Sequence, residues 1–194
     1  GVDGTFPAAA SQWEKRSIAH EIPIWDAAIC TQCALCPLMC PHAAIRMNVY
    51  SPEQLKGAPE GFKSAPWRSK EGGPFQGWAY TLQVAPDDCT GCGICVDICP
   101  TRSKEMVKHK AINMEPKEEH LEHERANFDY FLDIPQLDRT QAKIDVVKGC
   151  QILEPLFEFS GACAGCGETP YLKLMSQLFG DRAIIANATG CSSI

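Results

Sequence analysis

Three things are missing from this chain, and each closes off a class of function. No apolar run reaches the roughly 20 residues that a bilayer-spanning helix needs, so no membrane partner is expected. No basic start followed by an apolar middle marks a secretory leader. There is no surplus of basic residues: 18 Lys and Arg against 24 Asp and Glu leave a net charge of -6, whereas a nucleic-acid surface needs a Lys and Arg footprint. The expectation is a soluble, cytoplasmic protein without a nucleic-acid partner. An initiating methionine is also lacking: the chain opens on Gly1 and stops at Ile194 shortly after a cysteine, which reads as an excerpt. The length of 194 residues allows one or two domains with a modest core.

What the chain has in excess is cysteine, 12 in all, and eight of them fall in one pattern used twice. Cys30, Cys33, Cys36 and Cys40 form C-x2-C-x2-C-x3-C followed by Pro41, and Cys89, Cys92, Cys95 and Cys99 repeat it before Pro100. Three thiolates at this spacing wrap three iron corners of a cubane, and in two-cluster ferredoxins the fourth cysteine of each run ligates the other cluster. The assignment is therefore crossed. Cys30, Cys33, Cys36 and Cys99 hold one 4Fe-4S cluster, and Cys89, Cys92, Cys95 and Cys40 hold a second. The proline after each fourth cysteine bends the chain toward a symmetric partner, so two halves related by a pseudo-two-fold lock each other. Structural zinc draws paired ligands from two separated knuckles, which a third cysteine inside each knuckle fits poorly. Disulfides need separations that neighbours in such tight loops rarely offer. Thiolates of this kind point to a reducing compartment.

Around these runs the chain reads as follows. Residues 1–10 form an extended connector, and Ser11 with Glu14 makes a capping box for a short helix through Arg16. His20 to Trp25 is a short strand or arm, held to an edge by Pro23. After Pro41, His42 to Met47 is a turn of helix or a strand. Asn48 to Gly77, rich in Pro, Gly and Lys, is an insertion whose Trp67, Phe75 and Trp78 shield a cluster, or else a solvated loop with one aromatic anchor. Trp78 to Ala85 alternates as a strand does. Glu115 to Arg125 is a charge run, read as a solvated helix or linker; His120 and His123 within it have too few partners for a metal site. Asn127 to Lys148 is read as an irregular arm, and Cys150 as a buried free thiol.

The last forty or so residues change character. Phe157 to Pro170 is a glycine-rich loop containing Cys163 and Cys166. A helix follows from Tyr171 to Phe179, with Thr169-Pro170 at its start and Leu172, Met175 and Phe179 on one face. Arg182 to Ala186 is a short apolar strand delivering Asn187 to Ile194 at its C-terminal end, the rhythm of an α/β domain. Cys163, Cys166 and Cys191 are placed to converge as three thiolates. A cubane wants four, and a lone C-x2-C is also read as zinc or as a redox dithiol.

These residues resemble the pyruvate:ferredoxin (flavodoxin) oxidoreductases, large thiamine-diphosphate enzymes of anaerobes. The likeness runs from DGTFP and SQWEKR through both cysteine runs to EFSGACAGCGETPY and IANATGCSSI. It implies an α+β chain: a connector arm (1–25), a ferredoxin-like domain with insertions carrying two 4Fe-4S clusters (26–126), a linking arm (127–155), and the start of an α/β thiamine-diphosphate-binding domain (156–194). The resemblance makes Cys163, Cys166 and Cys191 ligands of a third, partly ligated cluster near thiamine, with the fourth ligand outside these residues. It also puts Glu168 and Cys191 in the vicinity of thiamine diphosphate; a bland reading of Glu168 is a carboxylate favoured by a helix N-terminus. No catalytic residue lies in the excerpt. The implied reaction is oxidative decarboxylation of pyruvate with coenzyme A to acetyl-CoA and carbon dioxide, in a homodimer that also binds Mg2+, with electrons passing through three clusters to ferredoxin or flavodoxin. Rival readings are a stand-alone ferredoxin-type carrier, which leaves the last two loops without a purpose, and a related oxidoreductase for another 2-oxoacid. Two departures stand out: Ala34 where the second motif has Gly93, and the more polar TRSKEM after Pro100.

Overall fold

The computed structural model describes residues 2–3, 10–188 and 190–191. Strand β1 (Glu21–Trp25) pairs antiparallel with β5 (Ile112–Pro116), so the two ends of the ferredoxin-like unit close on each other. Strand β2 (Ile45–Tyr50) pairs antiparallel with β4 (Ala79–Val84), and a two-residue β3 (Ala65–Pro66) joins β4 on its other edge. Pro23 is tolerated because each strand of a two-stranded sheet is an edge.

Each cysteine run makes the same local structure. Three cysteines lie in the loop and first turn, then comes a one-turn helix: α1 (Leu35–Met39) in the first run and α2 (Ile94–Ile98) in the second. The fourth cysteine leaves each helix in nearly the same extended conformation, Cys40 at φ -64, ψ 116 and Cys99 at φ -65, ψ 118. Two positions in each loop take left-handed backbone. The second run fills them with Gly91 (φ 68) and Gly93 (φ 76), the first with Gln32 (φ 58) and Ala34 (φ 63). A side chain in that region costs about 1–2 kcal/mol. Gln32 offsets it by donating from Nε2 to the Pro66 carbonyl (2.8 Å) and accepting at Oε1 from the Arg68 amide (2.9 Å), so the insertion clamps the first loop.

The core follows the period of two expected of strands. Ile45, Met47 and Val49 of β2 join Tyr80, Leu82 and Val84 of β4 in the main cluster, while Tyr50 and Ala79 face the other way against Ile134. Both strands are buried throughout, so alternation in their burial is absent. Of the insertion aromatics, Trp67, Phe75 and Trp78 all pack on the main cluster, and Trp67 lies 5.9 Å from the Tyr80 ring.

Four expectations need correction. Ser11 and Glu14 do not cap a helix through Arg16: the chain makes only a 3-10 turn, Ala10–Trp13, and the Ser11 hydroxyl lies 3.5 Å from Glu158 Oε1. The charge run opens a 17-residue helix, α3 (Lys117–Asp133), which continues through Asn127 to Asp133 where an irregular arm was expected. The reason is that Phe128 and Phe131 bury on the main cluster and anchor the polar turns before them. Arg182 to Ala186 is not a strand; Ile184 is 99 % exposed, because no strand among the described residues takes its backbone bonds. Helix α5 (Thr169–Phe179) forms where expected, but the face it buries is Thr169, Lys173, Ser176 and Gln177, while Phe179 stays half exposed. The extended connector expected over residues 1–10 lies largely outside the described residues. Cys150, in α4 (Val147–Cys150), is a buried free thiol donating to the Val147 carbonyl. No described helix is long and apolar enough to cross a membrane.

Candidate iron-sulfur centres

The fold gathers the eight repeated cysteines into two groups. One cavity is lined by Cys30, Cys33, Cys36 and Cys99, with Trp25, Ala34, Tyr80 and Ile112 in its walls. Another is lined by Cys40, Cys89, Cys92 and Cys95, with Pro23, Pro41, Ala44, Ile45 and Met114. Each group takes three cysteines from one run and one from the other, because the extended Cys40 and Cys99 are carried past their own loops. All 12 cysteines are free thiols. Among the described residues no three His, Cys, Asp or Glu side chains meet closely enough for a single metal ion. The sulfurs instead ring voids.

The donor chemistry of these walls fits a cationic, sulfur-ligated group. Burial first, and then neighbouring thiols, pushes the Cys36 thiol up and raises Cys89 to about 12; Cys95 is raised for the same reasons. Four such thiolates together require compensating positive charge of the kind iron supplies. The loops also present matched backbone donors to sulfur. The Gln32 amide lies 3.3 Å from Cys30 Sγ, and the Gly91 amide 3.4 Å from Cys89 Sγ.

The third set is less complete. Cys163 and Cys191 are exposed. Cys166 lines an apolar cavity of about 210 Å³ with Gly165, Gly167, Pro170, Tyr171, Leu38, Met39 and Ile94, which neither Cys163 nor Cys191 borders. The Cys166 thiol is held below the ordinary range by the Thr169 and Glu168 amides at the start of α5. Glu168 is exposed at the N-cap position, and its side chain makes no capping bond.

Residues without a motif signal fasten this third loop to the cysteine runs. His42 is buried directly after Pro41, its Nε2 3.2 Å from the Cys163 carbonyl and its Nδ1 3.3 Å from Ser160 Oγ. Because a carbonyl only accepts, Nε2 carries the proton and Nδ1 accepts from the serine. His42 also borders the Cys40 cavity. Gly165 takes φ +72 and comes so near the second run that a Cβ there would lie 3.7 Å from Cys92 Cβ. Lys173 of α5 is 2 % exposed and donates its three N–H bonds to the carbonyls of Pro37, Leu38 and Cys40. Arg16 reaches the carbonyls of Ser160, Gly161 and Ala162. His42 was placed only as part of a following turn, and nothing in the pattern singled out Arg16 or Lys173.

Comparison with known proteins agrees with this geometry. Residues 29–103 match the 4Fe-4S dicluster domain family. The chain is 57 % identical over 192 residues to the pyruvate-flavodoxin oxidoreductase of Trichormus variabilis, covering 99 % of this chain and 16 % of that protein. It is 50 % identical over 192 residues to the pyruvate:ferredoxin oxidoreductase of Moorella thermoacetica, again 99 % and 16 %. A third relative, the mitochondrial pyruvate dehydrogenase [NADP(+)] of Euglena gracilis, is 46 % identical over 191 residues, covering 98 % of this chain and 10 % of that protein. The chain thus spans about one sixth of the length of the first of these relatives.

Proposed function

Taking as premise that the chain is kin, along nearly its whole length, to one segment of the pyruvate:ferredoxin (flavodoxin) oxidoreductases, we propose that it is the electron-transfer segment of such an enzyme. The single observation that carries this reading is the pair of cavities, each ringed by four cysteines drawn three and one from the two runs. Cys30, Cys33, Cys36 and Cys99 hold one 4Fe-4S cluster, and Cys40, Cys89, Cys92 and Cys95 hold the other. Cys163, Cys166 and Cys191 contribute to a third, and Glu168 and Cys191 lie toward thiamine diphosphate.

Bound clusters supply one-electron acceptance and release, and thiamine diphosphate in the whole enzyme supplies the carbanion chemistry on pyruvate. The residues of this chain set the route. Gly165 against Cys92, and His42 between Cys163 and the Cys40 cavity, place the third loop beside the Cys40 group. The order is therefore third loop, Cys40 group, Cys30 group, external acceptor. That acceptor is ferredoxin or flavodoxin. The Euglena relative is named for NADP(+), so this segment alone does not define the final acceptor.

Iron and sulfide analysis of the full-length protein, purified without oxygen, tests the reading together with pyruvate-dependent reduction of added ferredoxin. Iron for three clusters and reduction with pyruvate in preference to other 2-oxoacids is the expected outcome. Iron for two clusters and no 2-oxoacid activity returns the chain to a simple carrier.

A further inference from the structure

We propose that the Tyr80 hydroxyl donates a hydrogen bond to sulfur of the iron-sulfur group held by Cys30, Cys33, Cys36 and Cys99, and makes that site easier to reduce than its twin. The inference rests on the ligand sets proposed above and adds a residue outside the cysteine motifs.

Tyr80 lies in β4, is 0 % exposed, and borders the Cys30 cavity. Its hydroxyl has no hydrogen-bond partner among the described residues. A buried hydroxyl left unpaired is costly, and native proteins seldom keep one without a reason. Tyr80 shares that cavity wall with Cys30, Cys33, Cys36 and Cys99. A phenol keeps its proton at neutral pH, so the group is a donor. The two threonine hydroxyls on the same wall are engaged with each other, Thr31 Oγ1 to Thr101 Oγ1 at 3.1 Å. Trp25, edge-on to Tyr80 at 5.6 Å on the same wall, also has a buried indole N–H without a partner.

Among the described residues the other cavity has no buried polar side chain without a partner: its walls are Pro23, Pro41, Ala44, Ile45, Met114 and the half-buried Thr90, and both ring nitrogens of His42 are engaged with Ser160 and Cys163. The backbone donors, Gln32 to Cys30 and Gly91 to Cys89, are matched at 3.3 and 3.4 Å and cancel between the sites. The Tyr80 hydroxyl, with the Trp25 indole N–H beside it, is the difference. A donor to sulfur is strengthened when sulfur gains electron density, so it favours the reduced form. One electron enters, no covalent bond breaks, and the tyrosine keeps its proton.

The test is Tyr80→Phe in the full-length protein, purified without oxygen, with EPR-monitored redox titration. Phenylalanine keeps the ring and removes only the O–H. The expected result is full iron and sulfide content, with one cluster signal becoming about tenfold harder to reduce, near 59 mV for one electron, and the other signals unmoved. The shifted signal is to be the one that Cys99→Ser perturbs. Full iron content with no shift, or a shift in the signal that Cys99→Ser leaves alone, overturns the role of Tyr80 while the cysteine assignment stands. Absence of iron and sulfide from the unsubstituted protein overturns the cysteine assignment, and this inference with it.

Discussion

Replacing His42 by Phe isolates the tie between the first cysteine run and the third loop. The ring volume is nearly kept, so no large cavity opens, and what is lost is the bond from Nε2 to the Cys163 carbonyl and the bond from Ser160 Oγ to Nδ1. A neutral buried hydrogen bond contributes about 1 kcal/mol net, so the pair contributes about 2 kcal/mol. At about 1.4 kcal/mol per decade, that is roughly 30-fold in the opening equilibrium of the loop. Native-state hydrogen exchange of the full-length protein reads this directly. The Cys166 amide, which bonds to the Cys163 carbonyl at 3.1 Å, is expected to exchange up to about 30-fold faster. The Phe159 amide, held by the backbone carbonyl of residue 42 at 2.9 Å, changes less because that bond survives the substitution. Amides of the β2–β4 ladder stay put. If Cys166 exchanges at its original rate, or if the ladder loosens as much as the loop, His42 is not the local fastening argued here.

Three further outcomes follow from the same geometry. Gly149→Ala places a Cβ 1.9 Å from the Lys143 carbonyl, a backbone atom that cannot step aside, so a loss on the order of 3 kcal/mol is expected in denaturant unfolding. Gln32→Ala keeps the left-handed strain and removes the clamp on Pro66 and Arg68; proteolysis of the insertion between 51 and 77 is expected to accelerate, with stability down by about 2 kcal/mol. Asp26→Asn removes the carboxylate that faces His109 Nε2 at 2.8 Å, a hydrogen bond that holds the Asp26 carboxyl below its ordinary value. A depressed folded-state value means stability present above the ordinary carboxylate range and lost as pH falls through the depressed one. The variant is therefore expected to cost up to about 1 kcal/mol near neutrality and nothing once the carboxyl is protonated in both states, as urea midpoints measured down the pH scale would show.

The sequence was informative where a local rule and the tertiary structure ask for the same thing. Cysteine spacing predicts the escape of Cys40 and Cys99, because loop length and the following proline act within a few residues, whereas the one-turn helices α1 and α2 had no signal of their own. Helix α5 was legible for the same reason: proline in its first turn and glycine after Phe179 are local signals. Helix α3 was not, because its first ten residues are polar apart from Leu121 and Ala126 and the two phenylalanines that anchor it come late, at Phe128 and Phe131. The strand expected at Arg182–Ala186 failed on the opposite ground: apolar residues favour a strand, yet a strand needs neighbours. The unpaired hydroxyl of Tyr80 had no signal at all. An aromatic in an alternating strand reads as core, and only packing shows that its oxygen is buried without a partner beside a cavity lined by cysteines.

The orientation of α5 explains why the third loop sits where it does. An amphipathic helix ordinarily buries its apolar stripe, and this one buries Lys173, Ser176 and Gln177 instead. Each has a specific partner. Lys173 fills the open carbonyl end of α1, the Ser176 hydroxyl accepts from the amides of Leu156 and Phe157, and Gln177 bonds Gln151 and the Leu153 carbonyl. Burying an ammonium is costly unless every donor is used, and here all three are, on carbonyls from the turn that carries Cys40. Hydrogen bonds fix direction and register where apolar contacts slide. A helix held by its polar face is thus fixed relative to the Cys40 turn, while its apolar stripe, including Phe179, stays free for other surfaces. On the proposed reading, in which sulfur-ligated centres must stay at constant separation, precise placement of the loop matters more than the depth of its burial.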